Sequence, residues 1–338
     1  MSRVLLPVAL LLTAVLSACG GGTAPPAAAL ELNGATSLSV GAPSSLTAVV
    51  RDSSGNALNS AVTYTSSQPD VIAVDARGNL TVKRLTATDR PVELTASAGG
   101  KSASLVVSTY GLELAVGTYV WNLQAAGAAP GRFIVVRYRP ESAAGEIQAS
   151  TYTVSAPGGE SLSCSLSQNA IERACWWAET DATKYPAGEY RASLVQNGVT
   201  YETTASLPDP EAVLGFVNGA TASTSGREVT FAGEVPAQAG WLYAYVSKRR
   251  LETSSLAGPR PSGSAVLRGQ ELNQGTDPLN VSVYATTLPT TLKVGSAVPA
   301  GNYESWITAM SGNLSSFNEV LPEQFNVSAT FGGTITLR

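Results

Sequence analysis

Short runs of alternating apolar and polar residues dominate the sequence from residue 30 to its end. The runs lie mostly eight to twelve residues apart, Gly, Pro, Asn and Asp separate them, and none has helical periodicity. In Ser45–Arg51, for example, Leu46, Ala48 and Val50 fall on one face. A period of two indicates a half-buried strand, and short strands at this spacing are typical of sandwiches. At about 100–200 residues per domain, the 338 residues predict an all-β chain of two or three tandem β-sandwich domains.

The composition excludes several classes of function. The chain has 0 His, which removes the commonest general base and the commonest zinc ligand. A Ser-His-Asp or Cys-His hydrolase and a His-ligated metalloenzyme are therefore excluded. The 21 basic and 25 acidic residues give a net charge of −4, which is too weak and too dispersed to attract nucleic acid.

Residues 1–18 have the features of a signal peptide. Arg3 provides the positive start, and Val4–Leu16 is a stretch of 13 residues that is apolar apart from one Pro and one Thr. It is too short for a spanning helix, which needs about 20 apolar residues. The sequence Leu16-Ser17-Ala18-Cys19 resembles the lipobox of bacterial lipoproteins. The resemblance implies cleavage before Cys19 and a lipid on the Cys19 thiol, which anchors the protein to a membrane. The alternative is an ordinary signal peptide whose cleavage leaves a cysteine nearby.

Residues 19–29 form the expected tether, with glycines at 20–22 and prolines at 25–26. Such a segment begins flexible and becomes stiffer. Gly20 follows the cysteine. In the Gram-negative lipoproteins that this N-terminus resembles, Asp at this position favours retention in the inner membrane, and Gly20 does not match that pattern. We therefore expect an exported protein, lipid-anchored to the cell envelope at the outer membrane or the cell surface.

With Cys19 assigned to lipid, Cys164 and Cys175 remain as a pair. In an oxidising compartment two such cysteines are expected to form a structural disulfide. The alternative is a metal or redox site with two thiols. The chain offers no His and no C-x-x-C motif for it, and so the disulfide is favoured.

Residues 30–108 carry a second resemblance. Leu38-Ser39-Val40-Gly41, Asp70-Val71-Ile72-Ala73-Val74-Asp75 and Gly78-Asn79-Leu80-Thr81-Val82 are similar to segments of bacterial immunoglobulin-like domains of group 2. The resemblance implies an Ig-like domain at 30–110 that serves as a spacer or an adhesive module. The family has no shared active site.

The remainder contains an internal repeat. Tyr185–Tyr190 (YPAGEY) is echoed by Val298–Tyr303 (VPAGNY), and Gly131–Arg137 is echoed by Gly240–Val246. Two pairs at nearly equal offsets and in the same order predict two copies of one unit. We set the two β-sandwich repeats at 111–207 and 208–338, with a hinge at 207–210.

Aromatic residues provide the candidate binding sites. Trp241, Tyr243 and Tyr245 alternate with the apolar Leu242, Ala244 and Val246. Because a sandwich strand needs one apolar face, the aromatic stripe is a candidate sugar-stacking surface, with the basic residues 248–250 at its rim. The alternative is that the aromatic side chains face a core.

Trp176 and Trp177 directly follow Cys175. One is expected to pack on the disulfide and the core, and the other to point outward as a ligand contact, since side chains alternate along a strand.

No residue is predicted to be catalytic, and no cofactor or metal is predicted. The sequence has neither G-x-S-x-G nor S-x-x-K, the signatures of serine acyl transfer. Glu172, Glu179 and Asp181 could in principle pair as glycosidase carboxylates, and Asp209 and Glu211 could contribute to a calcium site. Scattered acids and isolated pairs of this kind are typical of solvated loops. The sequence therefore predicts a non-enzymatic lipoprotein with a structural or adhesive role. The alternative is an envelope lipoprotein that binds carbohydrate or peptide. Its partners would be the membrane and cell-wall glycan or surface proteins.

Overall fold

The computed structural model describes residues 25–123, 129–142, 147–166, 174–179, 181–247, 280–296, 298–313 and 318–338. These residues form strands, turns and loops. Within them, no helix has the length and apolar character required to cross a membrane. Cys19, Glu172 and the basic residues 248–250 lie outside the described residues.

The first domain holds nine strands and the first half of a tenth. They are β1 (Ala29–Asn33), β2 (Ser37–Ser39), β3 (Ser44–Ser45), β4 (Thr47–Arg51), β5 (Ala57–Leu58), β6 (Thr63–Ser66), β7 (Ile72–Val74), β8 (Asn79–Val82), β9 (Val92–Ala98) and β10 (Lys101–Trp121). Two three-stranded sheets, β1-β4-β5 and β3-β8-β7, lie beside a layer in which β6, β9, β10 and β2 are paired. The alternating apolar residues of these strands form one core, which includes Leu46, Ile72, Leu94 and Val107.

The second domain is a sandwich of two sheets. Its strands are the second half of β10, β11 (Gly131–Arg139), β12 (Ser150–Ser155), β13 (Ser161–Leu166), β14 (Ala174–Glu179), β15 (Glu189–Gln196) and β16 (Val199–Ser206). One layer is β13-β12-β15-β16 and the other is β14-β11-β10. Their facing side chains form a second core, which includes Val116, Ile134, Tyr152 and Trp177.

The third domain repeats this plan. Its strands are β17 (Asn218–Ser225), β18 (Glu228–Glu234), β19 (Trp241–Ser247), β20 (Asn280–Ala285), β21 (Thr290–Lys293), β22 (Gly301–Met310) and β23 (Val327–Leu337). The sheet β17-β18-β21 covers the layer β23-β22-β19-β20. The core between them includes Phe231, Leu242 and Ile307. The chain is therefore all-β, a tandem of β-sandwich domains, as the alternating pattern predicts.

Strand β10 connects all three domains. Its first half pairs with β9 and its second half with β11, so the boundary predicted between residues 110 and 111 lies inside one strand. Tyr119 to Trp121 of β10 also pair in parallel with Val327 to Ala329 of β23. The second and third domains therefore share one continuous sheet, in the order β14-β11-β10-β23-β22-β19-β20.

The shared sheet has a core on each of its faces. One face supplies the cores of the second and third domains, and the opposite face carries a further cluster that we call the shared core. Its larger buried members are Tyr119, Trp121, Phe133, Trp176, Trp306 and Phe325. The segment predicted as a hinge lies beside it and is tied to both domains. Leu207 N donates to Gly188 O, and Gln324 Nε2 donates to Asp209 O.

Candidate functional site

The predicted disulfide is present. Cys164 on β13 and Cys175 on β14 are bonded, with their Cα atoms 6.4 Å apart. Because β13 and β14 belong to opposite layers of the second domain, the bond joins the two sheets across the core. Its role is therefore structural.

Trp176 and Trp177 point to opposite faces of β14, as alternation requires. Trp177 lies in the core that contains both cysteines. Trp176 lies in the shared core, where its ring is stacked on Phe133 at 5.5 Å between centroids. Trp176 is 8% exposed and Trp177 is 5% exposed. The prediction that one of them is an outward contact is wrong, because the face that would be outward in a lone sandwich is covered here.

The stripe of β19 is the more open site. Leu242, Ala244 and Val246 are fully buried in the third domain's core, whereas Trp241, Tyr243 and Tyr245 are half-buried against the shared core. The stripe was expected either to form a binding surface or to face a core, and each expectation holds in part. The side chains pack on a core, and part of their surface stays accessible.

Strand register extends the stripe across neighbouring strands. Tyr243 pairs with Tyr284 of β20, and Tyr245 pairs with Trp306 of β22, which pairs with Phe331 of β23. Ring centroids are 5.1 Å apart for Tyr243 and Tyr245 and 5.1 Å apart for Tyr243 and Tyr284. Trp306 and Phe331 are 5.2 Å apart. We call these six side chains the aromatic face: Trp241, Tyr243, Tyr245, Tyr284, Trp306 and Phe331.

Carboxylates border the aromatic face at two places. Trp241 Nε1 donates to both carboxylate oxygens of Glu319 at 3.2 Å. Trp306 Nε1 donates to Glu304 Oε2 at 3.4 Å. Burial raises the pKa of the Tyr245 phenol well above its usual value, and Tyr119, Tyr243 and Glu304 add to the effect. The tyrosine hydroxyl is therefore neutral over the physiological range and acts as a hydrogen-bonding group.

The repeated Pro-Ala-Gly-x-Tyr element has the same structure in both domains. Tyr190 Oη donates to Pro186 O at 2.9 Å, and Tyr303 Oη donates to Pro299 O at 2.7 Å. Both tyrosines are buried. The glycine two residues before each tyrosine, Gly188 or Gly301, has a positive φ. A Cβ at that position would be strained. The motif is a structural corner at the start of a strand.

A buried polar junction, which the sequence did not predict, joins the first two domains. Arg137 Nε donates to Glu113 Oε2 at 2.5 Å, and Leu85 N donates to Glu113 Oε1 at 3.1 Å. Arg137 Nη2 also donates to Glu319 O at 3.0 Å. Glu113 and Arg137 are opposite each other in the β10–β11 register. Only that register identifies them as partners.

Residues 318–326, which we call the bridging segment, contact all three domains. Arg84 of the first domain donates through Nη1 to Leu321 O at 2.9 Å. Phe325 N donates to Val116 O of the second domain, and the Phe325 ring is stacked on Phe133. The segment belongs to the third domain, where Glu319 holds Trp241.

A cleft of about 320 Å³ lies beside this junction. Its polar lining includes Thr86, Thr109, Arg139 and Glu141. Arg139 Nη1 donates to Thr86 Oγ1 at 3.3 Å and to Thr109 O at 3.2 Å. The guanidinium thus holds the cleft wall together.

Asp181 and Asp209, two of the acids considered from the sequence, each accept hydrogen bonds within a turn. Asp181 Oδ1 accepts from Thr183 Oγ1 at 2.6 Å and from Thr183 N. These bonds, the hydroxyl first, lower the pKa of the Asp181 carboxyl, whereas a glycosidase general acid needs a raised pKa. Asp209 Oδ1 likewise accepts from the backbone of Glu211 and Ala212. In the described part of the chain, no three His, Cys, Asp or Glu residues group so as to hold a metal.

No protein-family model and no curated protein matches the chain. Solved structures with similarity include domains 5–6 of the S-layer protein SbsC, at 12% identity and a TM-score of 0.22, covering 55% of this chain and 99% of that one. The chicken CNTN1 FN1–FN3 domains are 11% identical with a TM-score of 0.21, covering 93% and 99%. The N-terminal four Ig domains of Dscam1 isoform 7.44 are 12% identical with a TM-score of 0.21, covering 89% and 77%. At scores this low, the fold rests on the strands, sheets and cores described above.

Proposed function

We propose that the protein is a non-enzymatic structural lipoprotein of the cell envelope. A lipid on Cys19 holds it to the membrane, residues 20–29 form the tether, and the three β-sandwich domains form a stiff body beyond it. Where the host has an outer membrane, Gly20 after the lipidated cysteine favours delivery there. The first domain is a bacterial Ig-like domain of group 2 used as a spacer.

The observation that carries the proposal is the way the domains are joined. Domains that move independently are joined by polar linkers and make only small contacts with one another. Here one sheet runs through the second and third domains, and the shared core buries large aromatic residues from both. Joining domains in this way limits their relative motion, which suits a part that bears load or holds a fixed distance.

The inter-sheet disulfide supports export. Disulfides persist in oxidising compartments such as the periplasm and the cell surface. Cys164 and Cys175 are bonded in the second domain, which leaves Cys19 as the third cysteine of the chain. That distribution fits one lipidated cysteine and one structural pair.

The test is the fate of Cys19→Ser in a bacterial host that processes lipoproteins. The wild-type protein is expected in the membrane fraction, labelled by radioactive palmitate and lacking residues 1–18 by mass spectrometry. Cys19→Ser is expected to lose the label and leave the membrane fraction. Cys164→Ser with Cys175→Ser is the matched control and keeps the label. An unlabelled wild-type protein, or a Cys19→Ser variant still bound to membranes, would refute the lipid anchor.

A further inference from the structure

We infer that the aromatic face binds the sugar rings of a neutral polysaccharide. This is a further activity, and it does not depend on the lipid anchor. The aromatic face spans four neighbouring strands, β20-β19-β22-β23. It is thus a continuous surface, and each of its rings is fixed by strand register.

Partial exposure distinguishes this face from an ordinary core. On the opposite side of β19, Leu242, Ala244 and Val246 have 0% exposure. On the aromatic face, Trp306 is buried. The other five side chains are half-buried. Rings that pack on a core and keep part of their surface accessible are suited to stacking on a ligand.

The carboxylates beside the face identify the chemistry of the ligand, because the indole N–H groups of Trp241 and Trp306 already donate to Glu319 and Glu304. Glu304 and Glu319 place carboxylates at its borders. A sugar ring has apolar C–H faces that pack on aromatic rings and equatorial hydroxyls that donate to carboxylates. An acyl chain or an apolar helix would place apolar groups against these two carboxylates, which is unfavourable.

Charge selects the class of saccharide. The two bordering carboxylates repel sugars that carry carboxylate or phosphate groups. Neutral rings, including N-acetylated amino sugars, can approach the face and use the carboxylates as acceptors. The inference is therefore restricted to neutral polysaccharides.

The experiment is calorimetric titration of the purified protein carrying Cys19→Ser. The probes are tetramers of β-1,4-linked N-acetylglucosamine, β-1,4-linked glucose and β-1,4-linked mannose, and an acidic tetramer of galacturonate. We expect saturable binding of at least one neutral tetramer and no binding of the acidic one. Tyr243→Ala and Tyr284→Ala are each expected to weaken binding about tenfold or more. Tyr243→Phe retains the ring and is expected to bind within a few-fold of wild type.

Tyr110→Ala is the matched control, because Tyr110 is a half-buried tyrosine of β10 outside the aromatic face. It is expected to bind sugar as the wild type does. Circular dichroism confirms that each variant is folded, and Tyr284 on the end strand β20 provides a second test if Tyr243→Ala does not fold. The inference is overturned if no neutral tetramer binds at millimolar concentration. It is overturned equally if binding is unaffected in both alanine variants, or if a fluorescent fatty acid binds the face and no sugar does.

Discussion

Arg137 and Glu113 form an ion pair in the interior of the protein, with 0% and 1% of their side chains exposed. The pair lies where the second domain meets Leu85 of the first and Glu319 of the third. A buried charge is tolerated when its partner and its remaining hydrogen bonds are in place. Docking of the first and third domains therefore supplies further hydrogen bonds to this buried pair.

Removing one member of this pair should destabilise the protein strongly. Arg137→Met leaves the Glu113 carboxylate buried without its cation, and such changes cost about 3–5 kcal/mol. Chemical denaturation followed by tryptophan fluorescence measures the loss. Arg51→Met is the control, because Arg51 pairs with Glu31 at the surface, where the side chains are 37% and 51% exposed. That variant should unfold nearly as the wild type does, and equal losses in both variants would argue against the junction.

At Gly117, β10 passes close to the backbone of the bridging segment. A Cβ there would overlap the carbonyl group of Phe325. Gly117→Ala should therefore push the segment away from β10 and lower the free energy of unfolding by about 1–3 kcal/mol. Hydrogen exchange at the amides of β23 should accelerate along with it.

Gly295→Ala is the control for that substitution, because a Cβ at Gly295 meets nothing within 4 Å. Its stability should stay within about 0.5 kcal/mol of wild type. If Gly117→Ala is as stable as Gly295→Ala, the close contact between β10 and the bridging segment does not exist.

The two tyrosine corners should contribute similarly. Tyr190→Phe and Tyr303→Phe each remove one buried hydrogen bond to a proline carbonyl, worth about 1 kcal/mol. Thermal unfolding of the two single variants measures this. Losses that differ severalfold would mean that the two corners are not structural equivalents.

The Tyr190 phenol should also make the stability of the protein depend on pH in the alkaline range. Burial raises the pKa of its phenol to about 12, against about 10 in an unfolded chain. The neutral phenol is thus favoured by folding, so this contribution is full below about pH 10 and is lost as the pH rises toward about 12. Stability measured across that range should fall less steeply in Tyr190→Phe than in wild type. An unchanged slope would show that Tyr190 does not titrate abnormally.

Loss of the inter-sheet disulfide should weaken the second domain. The bond closes a loop with a separation of 11 residues, and the chain-entropy model assigns such a loop about 3 kcal/mol. Cys164→Ala with Cys175→Ala should lower the unfolding free energy by that order in oxidising buffer. Adding a reductant should produce the same change in wild type and none in the variant. A wild-type protein insensitive to reductant under partly unfolding conditions would contradict this.

Local pattern predicted much of the fold. The alternation in Ser45–Arg51 contains β4, and the alternation from Trp241 onward corresponds to β19. The disulfide was predictable from the count of cysteines. The strands follow from the pattern of neighbouring residues, and the disulfide follows from the composition. Both kinds of information can be read from one sequence.

The sequence could not predict what covers the second face of the shared sheet. Alternation places Trp176 and Trp177 on opposite sides of β14, but it does not reveal that Trp176 stacks on Phe133, which in turn stacks on Phe325. The pairing of Tyr119 with Val327 joins distant parts of the chain with no local signal. Glu113 and Arg137 resemble solvent-facing charges of two separate strands until the register places them opposite each other.

The central claim is that three sandwich domains are joined into one stiff body, and differential scanning calorimetry of the purified protein tests it most directly. Domains that share a sheet, a core and a buried ion pair should unfold together. We predict one transition in which the calorimetric and van't Hoff enthalpies agree, and a lower midpoint for the whole transition in Gly117→Ala. Two or three separable transitions, with Gly117→Ala moving only one of them, would contradict the account.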